Sequence, residues 1–168
     1  VLIGGAFAST ADMDVTLEDL TILGQGVLVE EEYDGLLTFT GSRVDGHNTA
    51  LWLWDTPADY VVENNVVSAG GGFRVDSPHA AQTGRIAFNS LYDAPSPASG
   101  VRGIRLGVAN AGAWPEVIGN NLQGYRVGIE APEGFDALAW NNVDGAFEAN
   151  YRIGATDFSL SLIHISEP

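Results

Sequence analysis

The chain has 168 residues, 45% of them hydrophobic, which is enough for about one domain with a real core, and its 21 glycines suit a fold rich in tight turns. Twenty-two acidic residues face seven basic ones for a formal net charge of −15, which argues against nucleic acid or an anionic membrane surface as a partner. All seven basic residues are Arg; Cys is absent, which excludes disulfides, zinc thiolate sites and cysteine nucleophiles. No apolar run approaches the roughly 20 residues of a membrane-spanning helix.

The chain opens on "VLIGGAFAST", without an initiator Met and without the basic flank of a signal peptide, so a truncated amino end is expected. From there the same phrase recurs: "VVENNVV", "RIAFNSL", "EVIGNNL", "ALAWNNV". A small polar residue stands two before an apolar one at Ser42 (Val44), Asn64 (Val66), Asn89 (Leu91), Asn120 (Leu122) and Asn141 (Val143), in steps of 22, 25, 31 and 21 residues. Leu20, two before Ile22, extends the series upward by 22. A second register of alternating apolar pairs runs alongside at Val27/Val29, Leu51/Leu53, Phe73/Val75, Ile104/Leu106, Val127/Ile129 and Tyr151/Ile153. Alternation over a few residues predicts short strands with these positions inward.

A repeat near 22 residues built from strands has two common solutions. Leucine-rich repeats need Leu three, five and eight positions before the Asn, but Asn64 is preceded there by Val61, Asp59 and Thr56. Asn141 is preceded by Leu138, Asp136 and Glu133, and no segment between repeats reads as a helix. The other solution is a parallel β-helix, whose coils stack about 4.8 Å apart and whose inward residues form apolar columns. Asn64, Asn89, Asn120 and Asn141 then form a candidate ladder of hydrogen-bonded side-chain amides, with Ser42 as its upper rung. The simpler alternative is that Asn only tolerates the backbone of the turn.

The stretches "DVTLEDLTILGQGVLV", "YVVENNVVSAGGGFRV" and "NNLQGYRVGIEAP" resemble right-handed parallel β-helix proteins of the pectate-lyase-like superfamily over roughly residues 1–159. The resemblance implies an all-β solenoid of about six coils of roughly 22 residues. Its activity stays open, because that fold hosts lyases, epimerases, hydrolases, tailspikes and adhesins. The last nine residues, "LSLIHISEP" (160–168), break the rhythm where another polar turn residue is due near position 162. They resemble a forward translation of a transposase adapter from sequencing libraries, so 160–168 is expected to be non-native read-through. His164 and Glu167 then carry no function.

The outward residues of the second register supply the candidate site. Trp52 and Trp54, then Arg74 and Asp76, then Arg105 follow one another on one face in consecutive coils. Flat aromatic faces beside Arg suit a sugar ring, especially one whose carboxylate a guanidinium can grip. Stacked about 4.8 Å apart, Arg74 and Arg105 call for an anion beside them, which Asp76 would supply. Insertions at 77–84, 93–100 and 108–116 would wall a groove, or fold back and turn the Trp pair into a secondary core. His47 and His79, near Asp45 and Asp76, are candidate acid/base groups. The run "EEEYD" (30–34) is either a Ca²⁺ site or a solvated turn.

Enzyme patterns within the family match weakly. "GIRLG" (103–107) resembles only the Arg-Ile-Lys of polygalacturonase-like hydrolases, and no adjacent Asp pair occurs. "DSPHA" (76–80) departs from the Asp-Pro-His-Asp of alginate epimerases by an inserted Ser and a final Ala. Lysine-based lyases are excluded within this sequence; an Arg-based one would use Arg74 or Arg105 with a Ca²⁺-bound carboxylate. The leading expectation is therefore a secreted, extracellular or cell-surface β-helix that binds or processes a polysaccharide, a polyuronate among the candidates. The catalytic candidates are Arg74, Asp76, His79 and Arg105; the binding residues are Trp52, Trp54, Arg74 and Arg105. The alternative is a shaft segment of an adhesin or phage tailspike, assembled as a homotrimer.

Overall fold

Most segments that alternate apolar and polar residues form strands of three to five residues, and three longer strands, Arg43–Trp54, Val66–Asp76 and Leu138–Asp144, bend across two faces. A computed structural model describes residues 2–3, 14–30, 33–76, 82–93, 101–107, 115–131, 138–159 and 162–164. Among them the chain is all β, without helix, and winds as a parallel solenoid of about five turns of about 23 residues.

The coil has three faces. Face A stacks Val15–Glu18, Leu36–Thr40, Asp59–Glu63, Gly84–Ala87, Glu116–Ile118 and the start of Leu138–Asp144. Face B stacks Thr21–Gly24, the first parts of Arg43–Trp54 and Val66–Asp76, Ser90–Tyr92, Asn121–Gln123 and the end of Leu138–Asp144. Face C stacks Val27–Val29, the second parts of Arg43–Trp54 and Val66–Asp76, Arg102–Leu106, Val127–Ala131 and Ala149–Ile153. The two registers visible in the sequence are faces B and C. Face A is a third register that the spacing did not separate.

Every face contributes an inward column to the core. On face A it runs Phe39, Val62, Ile86, Val117, Leu138, and on face B Ile22, Val44, Val67, Leu91, Leu122, Val143, all buried. On face C it runs Val27, Leu51, Phe73, Ile104, Ile129, Tyr151. Burying one such aliphatic side chain contributes about 1.5–3 kcal/mol, so the columns are the main source of stability. Where faces B and C meet, the chain must be bare: a Cβ on Gly72 would lie 1.9 Å from the Gly103 carbonyl oxygen, and one on Gly103 2.7 Å from that of Gly128.

Two register expectations are corrected. The ladder residue in the third coil is Asn65, not Asn64: Asn65 is buried, whereas Asn64 is exposed with φ of 56°. Its inward partner is correspondingly Val67, and Val66 is 43% exposed. On face C, Ile104 pairs with Ile129 rather than Val127, and Arg105 with Glu130 rather than with Gly128. The first slip is by one residue and exchanges the faces; the second is by two and preserves them.

The corner between faces A and B holds the fold together. Asn65 Oδ1 accepts the backbone N–H of Ser42 (3.0 Å). Asn89 Oδ1 accepts both the backbone N–H and the Nδ2 of Asn65 (3.0 Å each). Asn120 Oδ1 serves Asn89 in the same way (3.1 and 2.9 Å), as does Asn141 Oδ1 for Asn120 (2.9 Å each). Each Nδ2 also donates to a carbonyl of face A: Asn65 to Phe39, Asn89 to Val62, Asn120 to Ile86 and Asn141 to Val117, at 2.7–2.9 Å. At the top, Ser42 Oγ accepts from the Leu20 N–H (3.1 Å) and donates to the Thr40 carbonyl (3.0 Å).

Immediately before each ladder residue the chain turns through the left-handed region. Asp19, Gly41, Asn64, Phe88, Gly119 and Trp140 have φ between 52° and 65°. After Ile153 the winding ends: Thr156–Phe158 folds back antiparallel on Ala149–Ile153, and Leu162–His164 lies antiparallel on Leu138–Asp144.

Replacing Asn89 with Ala removes one acceptor serving two donors and one amide with two acceptors, all buried. We expect a loss on the order of 3 kcal/mol in urea unfolding, whereas Asn64→Ala costs about 1 kcal/mol. Equal losses for the two variants would refute the assignment of the rung to Asn65.

Candidate functional site

Strict alternation on face C sends Trp52 and Trp54 outward from a strand whose Leu51 and Leu53 are buried. Their rings stack with centroids 5.7 Å apart and planes at 28°. Register brings Arg74 beside Trp52 and Asp76 beside Trp54. The Arg74 guanidinium lies 4.3 Å from the centroid of the Trp52 ring, and its Nε is 2.6 Å from Asp76 Oδ2. That contact is an ion pair rather than an aligned hydrogen bond, because the Nε–H does not point at the oxygen. The same carboxylate oxygen accepts the Trp52 indole N–H at 2.9 Å.

The sequence-predicted residues therefore come together with a division of roles. One face of Trp52 is covered by Arg74 and its N–H is satisfied by Asp76, so Trp52 holds the cluster in place. Trp54 is 43% exposed and carries the accessible ring. One coil on, Arg105 pairs in register with Arg74. Its counter-ion is Glu130, one coil further, at 3.5 Å. Glu130 also meets Arg102 at short range and Arg152 at 3.9 Å, so three guanidinium groups converge on one carboxylate. Asp76 balances Arg74, as expected, but it is Glu130 that separates Arg105 from Arg152 in the outward column.

Glu130 and Arg102 were missed because Gly128 was placed opposite Arg105. The signal was available: aligning "RGIRL" with "RVGIE" on its two Ile residues puts Arg105 above Glu130. Beyond Glu130, Arg152 grips Asp157 through two hydrogen bonds of 2.6 and 2.9 Å and contacts Glu148 at 3.5 Å, while Arg126 pairs with Glu148.

Other candidates are less developed. His79 and most of the insertions at 77–84, 93–100 and 108–116 lie outside the described residues, as do Glu31 and Glu32 of the proposed Ca²⁺ turn. Tyr33 of that turn is buried, its hydroxyl donating to the Leu36 carbonyl (2.8 Å) and accepting from the Val15 N–H (3.2 Å). His47 stands in Arg43–Trp54 where the pairing with the next coil is irregular, between Gly46 and Thr49. Among the described residues no three His, Asp or Glu side chains cluster as metal ligands, and no helix is long and apolar enough to cross a membrane. Burial pushes the Asp93 carboxyl and the Tyr125 phenol upward, the Asp93 charge adding to the effect on Tyr125.

Comparisons with protein-family models, with curated proteins and with solved structures found no match.

The lower half of face C sets a pH dependence. The hydrogen bond and charge of Arg126, and then the charge of Arg152, hold Glu148 below its ordinary value of 4.5; the Arg152 hydrogen bond holds Asp157 below 3.8. A carboxylate with a lowered folded-state pKa stabilises above its unfolded value, and that stability disappears as pH falls through the folded one. Acidification also relieves the self-repulsion of a chain of net charge −15, an effect of opposite sign. The informative quantity is therefore the difference between wild type and Arg152→Gln. We expect that difference in thermal midpoint to be constant from neutral pH to about pH 5 and to shrink below pH 4. It should also shrink in high salt, because both carboxylates are exposed.

Proposed function

We propose that the outer surface of face C binds an extracellular anionic polysaccharide, with polyuronates as the best-fitting class. The observation that carries this reading is the exposed Trp54 ring, stacked on Trp52, on a face that carries Arg74 in the next coil and Arg105 in the coil after that. A pyranose ring stacks on Trp54 through its C–H face, and its carboxylate is offered to the guanidinium groups alongside. In a chain with 22 acidic residues and seven arginines, five of those arginines (Arg74, Arg102, Arg105, Arg126 and Arg152) gather at this face and its leading edge. That concentration is what an acidic glycan requires of an otherwise acidic protein. The parallel solenoid and its polar-turn ladder support the resemblance to the pectate-lyase-like superfamily that the sequence suggests.

The reading is one of binding. Arg74, the candidate base, is held against Asp76 and Trp52, and Arg105 against Glu130. A lyase or epimerase step would need a base released from such pairing.

A second reading follows from the same pairing. The Trp52–Arg74–Asp76 cluster is paired within itself, which suits a stiffened shaft of an adhesin or tailspike in which face C is buried between three copies.

Affinity electrophoresis in gels containing polygalacturonate or alginate decides between them. Trp54→Ala and Arg105→Gln should each weaken retardation about tenfold, the equivalent of one good stacking or ion-pair contact. Failure of the wild-type chain to bind either polyuronate, together with a trimer in sedimentation, would favour the shaft.

A further inference from the structure

The corner between faces A and B carries a second, separate feature. Its left-handed position holds Asp19, Gly41, Asn64 and Gly119 in four coils, the residue types that tolerate positive φ with least strain. In the other two it holds Phe88 (φ 56°) and Trp140 (φ 59°). A bulky aromatic in this region is a genuine backbone outlier, and such outliers gather at functional sites. Both stay largely exposed: Phe88 is 52% exposed, and Trp140, at the irregularity where Leu162–His164 pairs with Leu138–Asp144, 58%.

The two aromatics are arranged, not scattered. They occupy coils on either side of Gly119, as the hydrogen bonds from Phe88 N to Ile118 O and from Gly119 N to Ala139 O establish. A Cβ on Gly119 would lie 2.8 Å from both Cδ1 and Cε1 of Phe88, so the Phe88 ring lies over that glycine, toward the coil of Trp140. Two residues further along each coil stand Ser90, Asn121 and Asn142, paired in register, with Asn142 Nδ2 donating to Asn121 Oδ1 at 2.9 Å. The nearby charge is one guanidinium against two carboxylates. Arg85 lies 5.9 Å from the Phe88 ring centroid, and its partners are Glu63 at 2.6 Å and Glu116 at 3.7 Å.

We propose that Phe88, Gly119 and Trp140, flanked by Ser90, Asn121 and Asn142, form a binding ledge for neutral glycans. The aromatic column takes the C–H faces of pyranose rings, and the amide and hydroxyl column takes their hydroxyls. A local excess of one carboxylate on a chain of net −15 selects uncharged sugars over uronates, and over a second copy of the same acidic chain. The ledge lies on the corner opposite face C and does not rest on the reading given to that face.

The test couples stability to binding. Phe88→Asn and Trp140→Asn place in the turn a residue that suits it, so the thermal midpoint should rise by about 2 °C or more. Retardation in gels containing a soluble β-glucan, a galactomannan or a dextran should fall at least fivefold in the same variants and stay unchanged in Trp54→Ala. A fall in midpoint for both variants would make the aromatics structural plugs and overturn the ledge. So would no retardation of the wild type by any of the three glycans, or retardation that both variants retain. A concentration-dependent dimer abolished by Phe88→Asn would equally overturn it, assigning the ledge to self-association. Loss of polyuronate binding in Trp54→Ala alone bears on face C and leaves this test intact.

Discussion

The buried amide ladder at the corner of faces A and B is the constraint on which the rest of the structure depends. Each inner rung, Asn89 and Asn120, has one oxygen that accepts two donors from the coil before it and one amide nitrogen that donates to the next rung's oxygen and to a face A carbonyl. A coil shifted by one residue would leave a side-chain amide and a backbone N–H unpaired in the interior, each costing about 1–3 kcal/mol. The apolar columns supply more total stability, but they tolerate a slip of two residues on a face. The ladder does not. It converts a generally sticky stack of strands into one register.

That division explains what could be read from the letters. Apolar alternation and a spacing near 22 residues are properties of the columns, so the solenoid, the inward positions of faces B and C, and the outward Trp and Arg residues were all legible. The rung in "VVENNVV" was not, because both the Asn and the Val are doubled there and spacing alone cannot choose between the copies. Only the backbone distinguishes them: Asn64 takes the left-handed turn and Asn65 the interior. Face A escaped notice for a related reason. Its inward residues Phe39, Val62, Ile86, Val117 and Leu138 each stand three before the ladder residue, but counting from Asn64 puts that position on Val61 and hides the recurrence. The corner between faces B and C does vary in length, and between coils four and five that displaced Glu130 by two positions.

On face C, charge is organised across coils as well as along the strand. Arg105 finds its carboxylate one coil below, at Glu130, and Arg85 of face A finds one above and one below, at Glu63 and Glu116. In a parallel stack every outward residue has neighbours about 4.8 Å away on both sides, so a guanidinium can bridge where a shorter cation could not. This geometry suits an all-Arg chain, and it places the candidate glycan face where the acidic protein is locally least acidic.

Corner length finally separates the parts of the solenoid that can vary from those that cannot. Steps along the face B column range from 21 to 31 residues, and the longest, from Leu91 to Leu122, is accommodated between faces B and C and between C and A. Among the described residues the corner between A and B is always two residues, one left-handed and one at the ladder position, from Asp19–Leu20, where only the Leu20 backbone N–H joins the ladder, to Trp140–Asn141. A side chain at the first of these positions is therefore held by the ladder with strand-like precision while pointing away from the core. Gly, Asn or Asp would be the stable choices there. A chain that instead places Phe and Trp at this position in two of its coils gives up local stability at its most rigid corner, which is where a display of ring faces gains most from being fixed.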